Sequence, residues 1–165
     1  MTGGVEIAPA LPPSALKVRD AAERLGLAIA IRAMPQSTRT AEEAAAACGC
    51  DVGQIVKSLV FAGKASGAPY LLLVSGRNRV NEKAAAGAIG EALTRPDADA
   101  VRASTGFAIG GIPPFGHDTP LATFIDEDLL GHDVVWAAAG TPKAVFSVSP
   151  QALAEAVKAT RIAVT

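Results

Sequence analysis

The segment from Gln54 to Phe61, QIVKSLVF, constrains the fold more than any other part of the chain. Read as an extended strand, it alternates Ile55, Lys57, Leu59 and Phe61 on one face with Val56, Ser58 and Val60 on the other. Both faces are apolar, so the strand needs a covering layer on each side. One of those layers has to receive an ammonium group. An unpaired charge in apolar surroundings is costly. Lys57 therefore either runs its stem along the surface to reach water or lines a cavity that something anionic enters.

Both covering layers have to come from 165 residues, half of them hydrophobic and only 4% aromatic. That is enough chain for one domain with a core of Ala, Val, Leu and Ile. A net charge of −1 gives no overall attraction to nucleic acid or to a membrane surface, so a nucleic-acid partner has to be held by a local patch. No apolar run approaches the ~20 residues of a membrane span, and no membrane partner is expected. The start, MTGGVEIAPALPPSALK, lacks a basic opening, and Pro9, Pro12 and Pro13 interrupt its apolar residues, unlike a signal peptide. Cys48 and Cys50, flanking Gly49, are too close for an ordinary disulfide and match no structural zinc spacing. The expectation is a cytoplasmic protein with neither metal nor cofactor.

Residues 1–12 read as a flexible lead-in to a single domain over 13–165. Ser14 is placed to cap a helix running to about Leu25, with Gly26 ending it, and LAIAIRAM then reads as a strand. Thr40 and Glu43 have the spacing of a capping box ahead of an alanine-rich helix, with Gly49 at its C-terminal cap. The lysine strand follows, joined through GKASGAP to YLLLVSG as an antiparallel hairpin. Asn81 is placed to cap a helix through about Ile89, and Pro96-Asp97 opens another that ends near Gly106. LATFID, DVVWAAAG and KAVFSV read as strands, Ser149-Pro150 opens a last helix, and RIAVT closes the chain as a short strand. Strands cluster without regular βαβ alternation, which points to an α+β fold.

Besides Lys57, the residues that attract attention are those of the loop GGIPPFGH, Gly110 to His117. Glycines let backbone N–H groups approach a ligand, and prolines stiffen the chain between them. Such donors can receive a carbonyl oxygen as it becomes negative during attack on an ester. His117 at the loop's end is the better placed of the two histidines for proton transfer, His132 reading as an exposed turn residue. There is no G-x-S-x-G elbow, no Walker loop and no dinucleotide fingerprint. Chemistry here has to rest on positioning and electrostatics.

In order, AEEAAAACGCDVGQIVKSLVF, RNRVNEKA, GFAIGGIPPFGH and VVWAAAGTPKAVFSVSPQAL resemble the YbaK/ProX family, free-standing relatives of the editing domain inserted in bacterial prolyl-tRNA synthetases. The resemblance spans roughly residues 14 to 160. It implies a curved, mostly antiparallel, barrel-like sheet with surrounding helices. It implies hydrolysis of the ester that joins a wrong amino acid to the 3′ end of tRNA, with tRNA(Pro) carrying Ala or Cys as the expected substrate. The partners implied are the acceptor end of the mischarged tRNA and prolyl-tRNA synthetase. By the same resemblance Lys57 holds the terminal nucleotide near a phosphate, and Gly111 with Gly110 frames the aminoacyl carbonyl. Ser58, Ile112, Pro113, Gly116 and His117 contact substrate, and Ile31 and Phe61, with Met34 and Phe115, wall the amino-acid pocket. The nucleophile is the tRNA's terminal hydroxyl, a water, or a substrate thiol. The chain departs from the cysteine-removing members in Ala138-Ala139-Gly140, in Val145 and in Ser58, where selectivity is expected. The alternatives are a non-catalytic module of the same fold that binds a small ligand or a translation partner, and a hydrolase of small esters or amides.

Overall fold

The structure, a computed structural model, describes residues 11–165. In chain order the elements are α1 (Pro13–Arg24), β1 (Arg32–Ala33), α2 (Ala41–Cys48), β2 (Val56–Gly63), β3 (Pro69–Ser75), α3 (Glu82–Ile89), β4 (Leu93–Thr94), α4 (Ala98–Thr105), β5 (Ala122–Asp126), β6 (Val135–Ala138), β7 (Ala144–Val148), α5 (Pro150–Val157) and β8 (Thr160–Ile162). Single 3-10 turns lie at Val52–Gln54 and Glu127–Gly131.

The lysine strand is β2. It pairs antiparallel with β3 from Val56 opposite Ser75 to Ala62 opposite Pro69, with Lys57 opposite Val74. The sheet extends in the order β4-β2-β3-β5-β8. Four of the six strand pairings are antiparallel, while β5 runs parallel to both β3 and β8. A second sheet, β1-β7-β6, joins the first through a parallel bridge between Ile55 and Trp136. The result is an α+β domain whose mixed sheet curls into a half-barrel.

Both faces of β2 are covered, as its alternation demands. Val56 and Val60 turn with Leu71 and Leu73 into the main core, against α1, Phe107, Phe115 and Phe146. Leu59 and Phe61 turn with Leu72 and Val74 into a second core closed by Ala85 of α3, Ile162 and Val164. Local chemistry sets the helix ends. Thr40 and Glu43 form the reciprocal capping box, and Gly49 ends α2 in the left-handed region at φ 69°. Asn81, Asp97 and Ser149 each accept a backbone N–H at the start of α3, α4 and α5.

Two expectations change, and one strand is added. The first helix starts one residue ahead of Ser14: Pro12 is its N-cap and Pro13, lacking an N–H to satisfy, is its first residue. LAIAIRAM pairs only through Arg32 and Ala33, opposite Val145 and Ala144. Leu27, Ile29 and Ile31 pack on the main core without a neighbouring strand, so their alternation reflects burial, not pairing. The pair Leu93–Thr94, which extends the large sheet as β4, is too short to show any periodicity in sequence. The lead-in assigned to residues 1–12 lies outside the described residues except for Leu11, which packs on the core, and Pro12.

Candidate active site

β4 pairs with β2 only at Ala62 and Gly63. Upstream of that point, among the described residues, the same edge of β2 has no strand beside it until the bridge at Ile55. The two sheets splay apart there, and the gap is a cleft of about 190 Å³. The Val56–Leu59 edge of β2 forms one wall, β6 with Trp136 and Ala137 another, and α2 with the Ile109–Gly110 segment closes the mouth. The lining is mainly alanine and aliphatic side chain, with Lys57, Ser58, Thr38, Thr40 and Arg39 as its polar members. The volume falls below the roughly 300–1,000 Å³ of pockets that take drug-sized ligands, and suits a small side chain at the end of a longer ligand.

Lys57 is half-buried, and its Nζ donates to the backbone carbonyl of Asn78 at 2.5 Å. Among the described residues no carboxylate oxygen lies within 4.0 Å of it. Loss of hydration lowers its pKa; Arg79 pushes the same way, and Glu42 and Asp126 oppose it. Beside it the Ser58 Oγ is shielded from solvent without a hydrogen-bond partner among the described residues. A shielded hydroxyl with unused bonding capacity on a cleft wall suits a polar ligand group. Arg39 stands exposed at the mouth without an ion-pair partner among the described residues. The preceding residue fixes its backbone: Thr38 gives both its N–H and its hydroxyl to the carbonyl of Pro142, at 2.7 and 2.6 Å.

Gly110 lines the cleft with φ at 96°, a conformation that disfavours a side chain. Its N–H has no protein acceptor among the described residues. Gly111 differs. Its N–H donates to the Ala108 carbonyl at 3.1 Å, and a Cβ there would meet the Thr141 backbone at 2.7 Å. Of the two glycines, Gly110 is therefore the one that lines the cleft and has an N–H without an acceptor among the described residues, and Gly111 lets the loop lie against the 140–142 turn.

The remaining residues named from sequence are spread more widely. Ile112 joins the cleft. Pro113 is buried, and its carbonyl accepts the His117 Nε2 hydrogen at 2.8 Å. Gly116 and His117 border a separate, more open cleft between the ends of α1 and α5. Burial there pushes the His117 pKa down. Phe61 faces the second core, while Ile31 and Phe115 pack in the main one; Met34 is buried and does not line the cleft either. The apolar walls are instead Ile55, Ile112, Trp136 and Val145. Trp136 was open to sequence reasoning, since a lone tryptophan in a strand next to a run of alanines marks a place where the core changes from small to large. Arg39 was not, being one arginine among solvated neighbours.

His132 caps the turn at Glu127–Gly131 and does not line the cleft. Cys48 and Cys50 are free thiols. Burial and the neighbouring Cys50 push Cys48 up to about 11, so it is no activated nucleophile. Among the described residues no helix is long and apolar enough to cross a membrane.

Comparison with known proteins assigns the fold to a family. A solved structure described as a candidate trans-editing enzyme for prolyl-tRNA synthetase superposes with a TM-score of 0.89 at 48% identity, covering 94% of this chain and 99% of that one. EbsC of Enterococcus faecalis (strain ATCC 700802 / V583), named as a candidate Cys-tRNA(Pro)/Cys-tRNA(Cys) deacylase, is 28% identical over 118 residues, 69% of this chain and 70% of EbsC. YwhH of Bacillus subtilis (strain 168) is 28% identical over 119 residues, 72% of this chain and 75% of YwhH. The profile of the aminoacyl-tRNA editing domain matches residues 35–156, from the segment that carries Arg39 to the end of α5. With the cleft, its lysine and its glycine loop all inside that span, the chain belongs to the aminoacyl-tRNA editing domain family.

Proposed function

We propose that this chain acts in trans on tRNA(Pro) carrying a small non-cognate amino acid such as alanine or cysteine, hydrolysing the ester at its 3′ end. Membership of the editing family makes the protein an aminoacyl-tRNA deacylase with mischarged tRNA as its substrate. The observation that supports the reading of the site is that Lys57, without a carboxylate partner among the described residues, and Gly110, whose N–H has no acceptor among them, line the same small cleft.

In this reading the terminal phosphate meets the Lys57 ammonium, and the aminoacyl carbonyl oxygen lies against the Gly110 N–H. The Ser58 hydroxyl binds the ribose or the amino group. Water adds to the carbonyl carbon and gives up a proton. The C–O bond to the 3′ oxygen then breaks, and that oxygen takes a proton to leave as the free hydroxyl. Where the neighbouring ribose hydroxyl adds first, the ester only moves to the 2′ oxygen, and water then cleaves that bond in the same way. Stabilising the oxyanion is the larger part of the catalysis, because no activated nucleophile lines the cleft among the described residues. Selection works by exclusion: an apolar wall separates side chains differing by one methylene by only about 1–3 kcal/mol. The Trp136, Ile112 and Val145 walls have to keep proline out sterically. Recognition confined to the acceptor end, with prolyl-tRNA synthetase supplying the rest of the tRNA contacts, accords with a net charge of −1.

The test is to offer Ala-, Cys-, Ser- and Pro-charged tRNA(Pro) to the wild type and to Lys57→Ala and follow ester loss. The expected result is release of Ala or Cys, no release of Pro, and loss of the reaction in the variant. Equal rates for Pro and Ala, or a fully active Lys57→Ala, would overturn the proposal.

A further inference from the structure

We infer that Asp126 is a positioning residue for Lys57 and acts through Asn78. The inference deepens the deacylase reading and relies on it for what Lys57 touches. Asp126 ends β5, and its residue is 1% exposed. Among the described residues no cation lies within 4.0 Å of its carboxylate. A buried carboxylate of that kind persists only if donors fill its oxygens. Its Oδ1 accepts the N–H of Asp128 at 2.9 Å, which would suffice for a local turn cap. Its Oδ2 reaches across the sheet, accepting the Ser75 N–H at 3.0 Å and the Asn78 side-chain amide at 2.8 Å.

Asn78 is thereby fixed at several points. Its Nδ2 also donates to the Asp128 carboxylate at 2.7 Å, so the amide spans two carboxylates. Its N–H closes the turn onto the Ser75 carbonyl at 2.9 Å. The carbonyl of the same residue receives the Lys57 Nζ. A lysine side chain has four rotatable bonds and gains nothing in precision from an exposed or mobile acceptor. Here the acceptor is pinned by a buried carboxylate from another strand, and the ammonium keeps its other hydrogens for an anion. A site held by a rigid supporting layer is what fixes a reacting group to within a fraction of an ångström.

The experiment compares Asp126→Asn and Asn78→Ala with the wild type. One readout is the rate at which acetic anhydride acetylates Lys57 relative to Lys64 and Lys143 in the same molecule, measured by peptide mass spectrometry. The other is kcat/KM for deacylation. Circular dichroism establishes that each variant is folded. If Asp126→Asn does not fold, Asn78→Ala, in a half-buried turn, carries the test alone. The expected result is a rise of at least threefold in relative Lys57 labelling and a fall of at least tenfold in kcat/KM. An unchanged labelling ratio in a folded variant overturns the inference, even where activity falls, because a merely structural role would leave the ratio alone. Raised labelling with undiminished kcat/KM overturns it too. If the wild type deacylates no charged tRNA, the functional reading fails, and the labelling ratio still decides whether Asp126 positions the lysine.

Discussion

Lys57 gives its ammonium to the carbonyl of Asn78, 2.5 Å away, and to no carboxylate among the described residues. A carbonyl dipole solvates a cation without cancelling its charge, so this residue of the cleft lining has a charge left for an anion. Replacing the lysine by methionine keeps the apolar stem and removes the charge. The loss of one charge-assisted hydrogen bond, roughly 1.5–3 kcal/mol, should lower kcat/KM for a mischarged tRNA by about 10- to 100-fold. The urea midpoint should not fall, because the ammonium is held against a desolvation penalty in the native state. A parallel fall in midpoint and activity would mean that the lysine serves the fold.

The same burial fixes the pH dependence of binding. The Lys57 pKa is lowered from its ordinary 10.5, chiefly by desolvation. The charged form exists below the pKa, so anion binding is complete at lower pH and is lost as pH rises through the lowered value. Affinity for a non-hydrolysable amide-linked aminoacyl-RNA should therefore weaken at a lower alkaline pH than a free lysine would allow. Lys57→Arg, which stays charged throughout, should abolish that step. A wild-type curve that stays flat up to the ordinary lysine range would sink the assignment.

Gly111 matters to the cleft without lining it. A Cβ at this position would lie 2.7 Å from the Cα and 2.8 Å from the N of Thr141, both backbone atoms that cannot rotate aside. Gly111→Ala should push the loop off the 140–142 turn, cost about 1–3 kcal/mol as an overpacked site, and displace the Gly110 amide, lowering kcat. Gly87→Ala is the control: nothing lies within 4 Å of a Cβ there, and in α3 the change should stabilise by up to about 1 kcal/mol. Urea titration of both variants and deacylation kinetics of the first check the contrast.

The two-sided strand was legible because alternation in QIVKSLVF is a direct record of which layer each side chain enters, and Leu59 and Val60 do enter opposite cores. The caps at Thr40, Asn81 and Ser149 were legible because each acts within three residues of itself. The cleft walls were less so. Ile31, Phe61 and Ile112 looked equivalent in sequence, yet only Ile112 lines the cleft. What separates them is where the two sheets part, a property of pairings between residues as distant as Ile55 and Trp136. Asp126 was invisible for the same reason, since its contacts with Ser75 and Asn78 cross 51 and 48 positions.

Arg39 offers a second cation at the cleft mouth, exposed and without an ion-pair partner among the described residues. If it meets a phosphate upstream of the terminal nucleotide, it contributes to binding and not to the chemical step. Arg39→Ala should raise KM several-fold with kcat nearly unchanged. It should also lower the slope of log affinity against log salt by about 0.7, the value of one single-strand phosphate contact. A fall in kcat at constant KM would place Arg39 in the reaction itself.

His117 makes a prediction about stability that is separate from catalysis. Its ring packs edge-on against Phe107 with centroids 6.3 Å apart, and its Nε2 hydrogen goes to the Pro113 carbonyl. Burial is the main cause of its lowered pKa; Lys17 adds to it, and the Pro113 bond and Asp118 oppose it. A lowered folded pKa means that the unfolded chain binds the proton more readily. The stability this group contributes is therefore fully present above the unfolded-state value near 6.5 and is lost as pH falls from there to the folded-state value, below which it levels off. His117→Gln keeps a donor for Pro113 and cannot titrate. The difference in unfolding free energy between wild type and His117→Gln, measured by urea from pH 7.5 down to pH 5, cancels the carboxylates common to both. It should move against the wild type as pH falls. A difference that stays constant across that range would show that the ring carries the same proton affinity folded and unfolded.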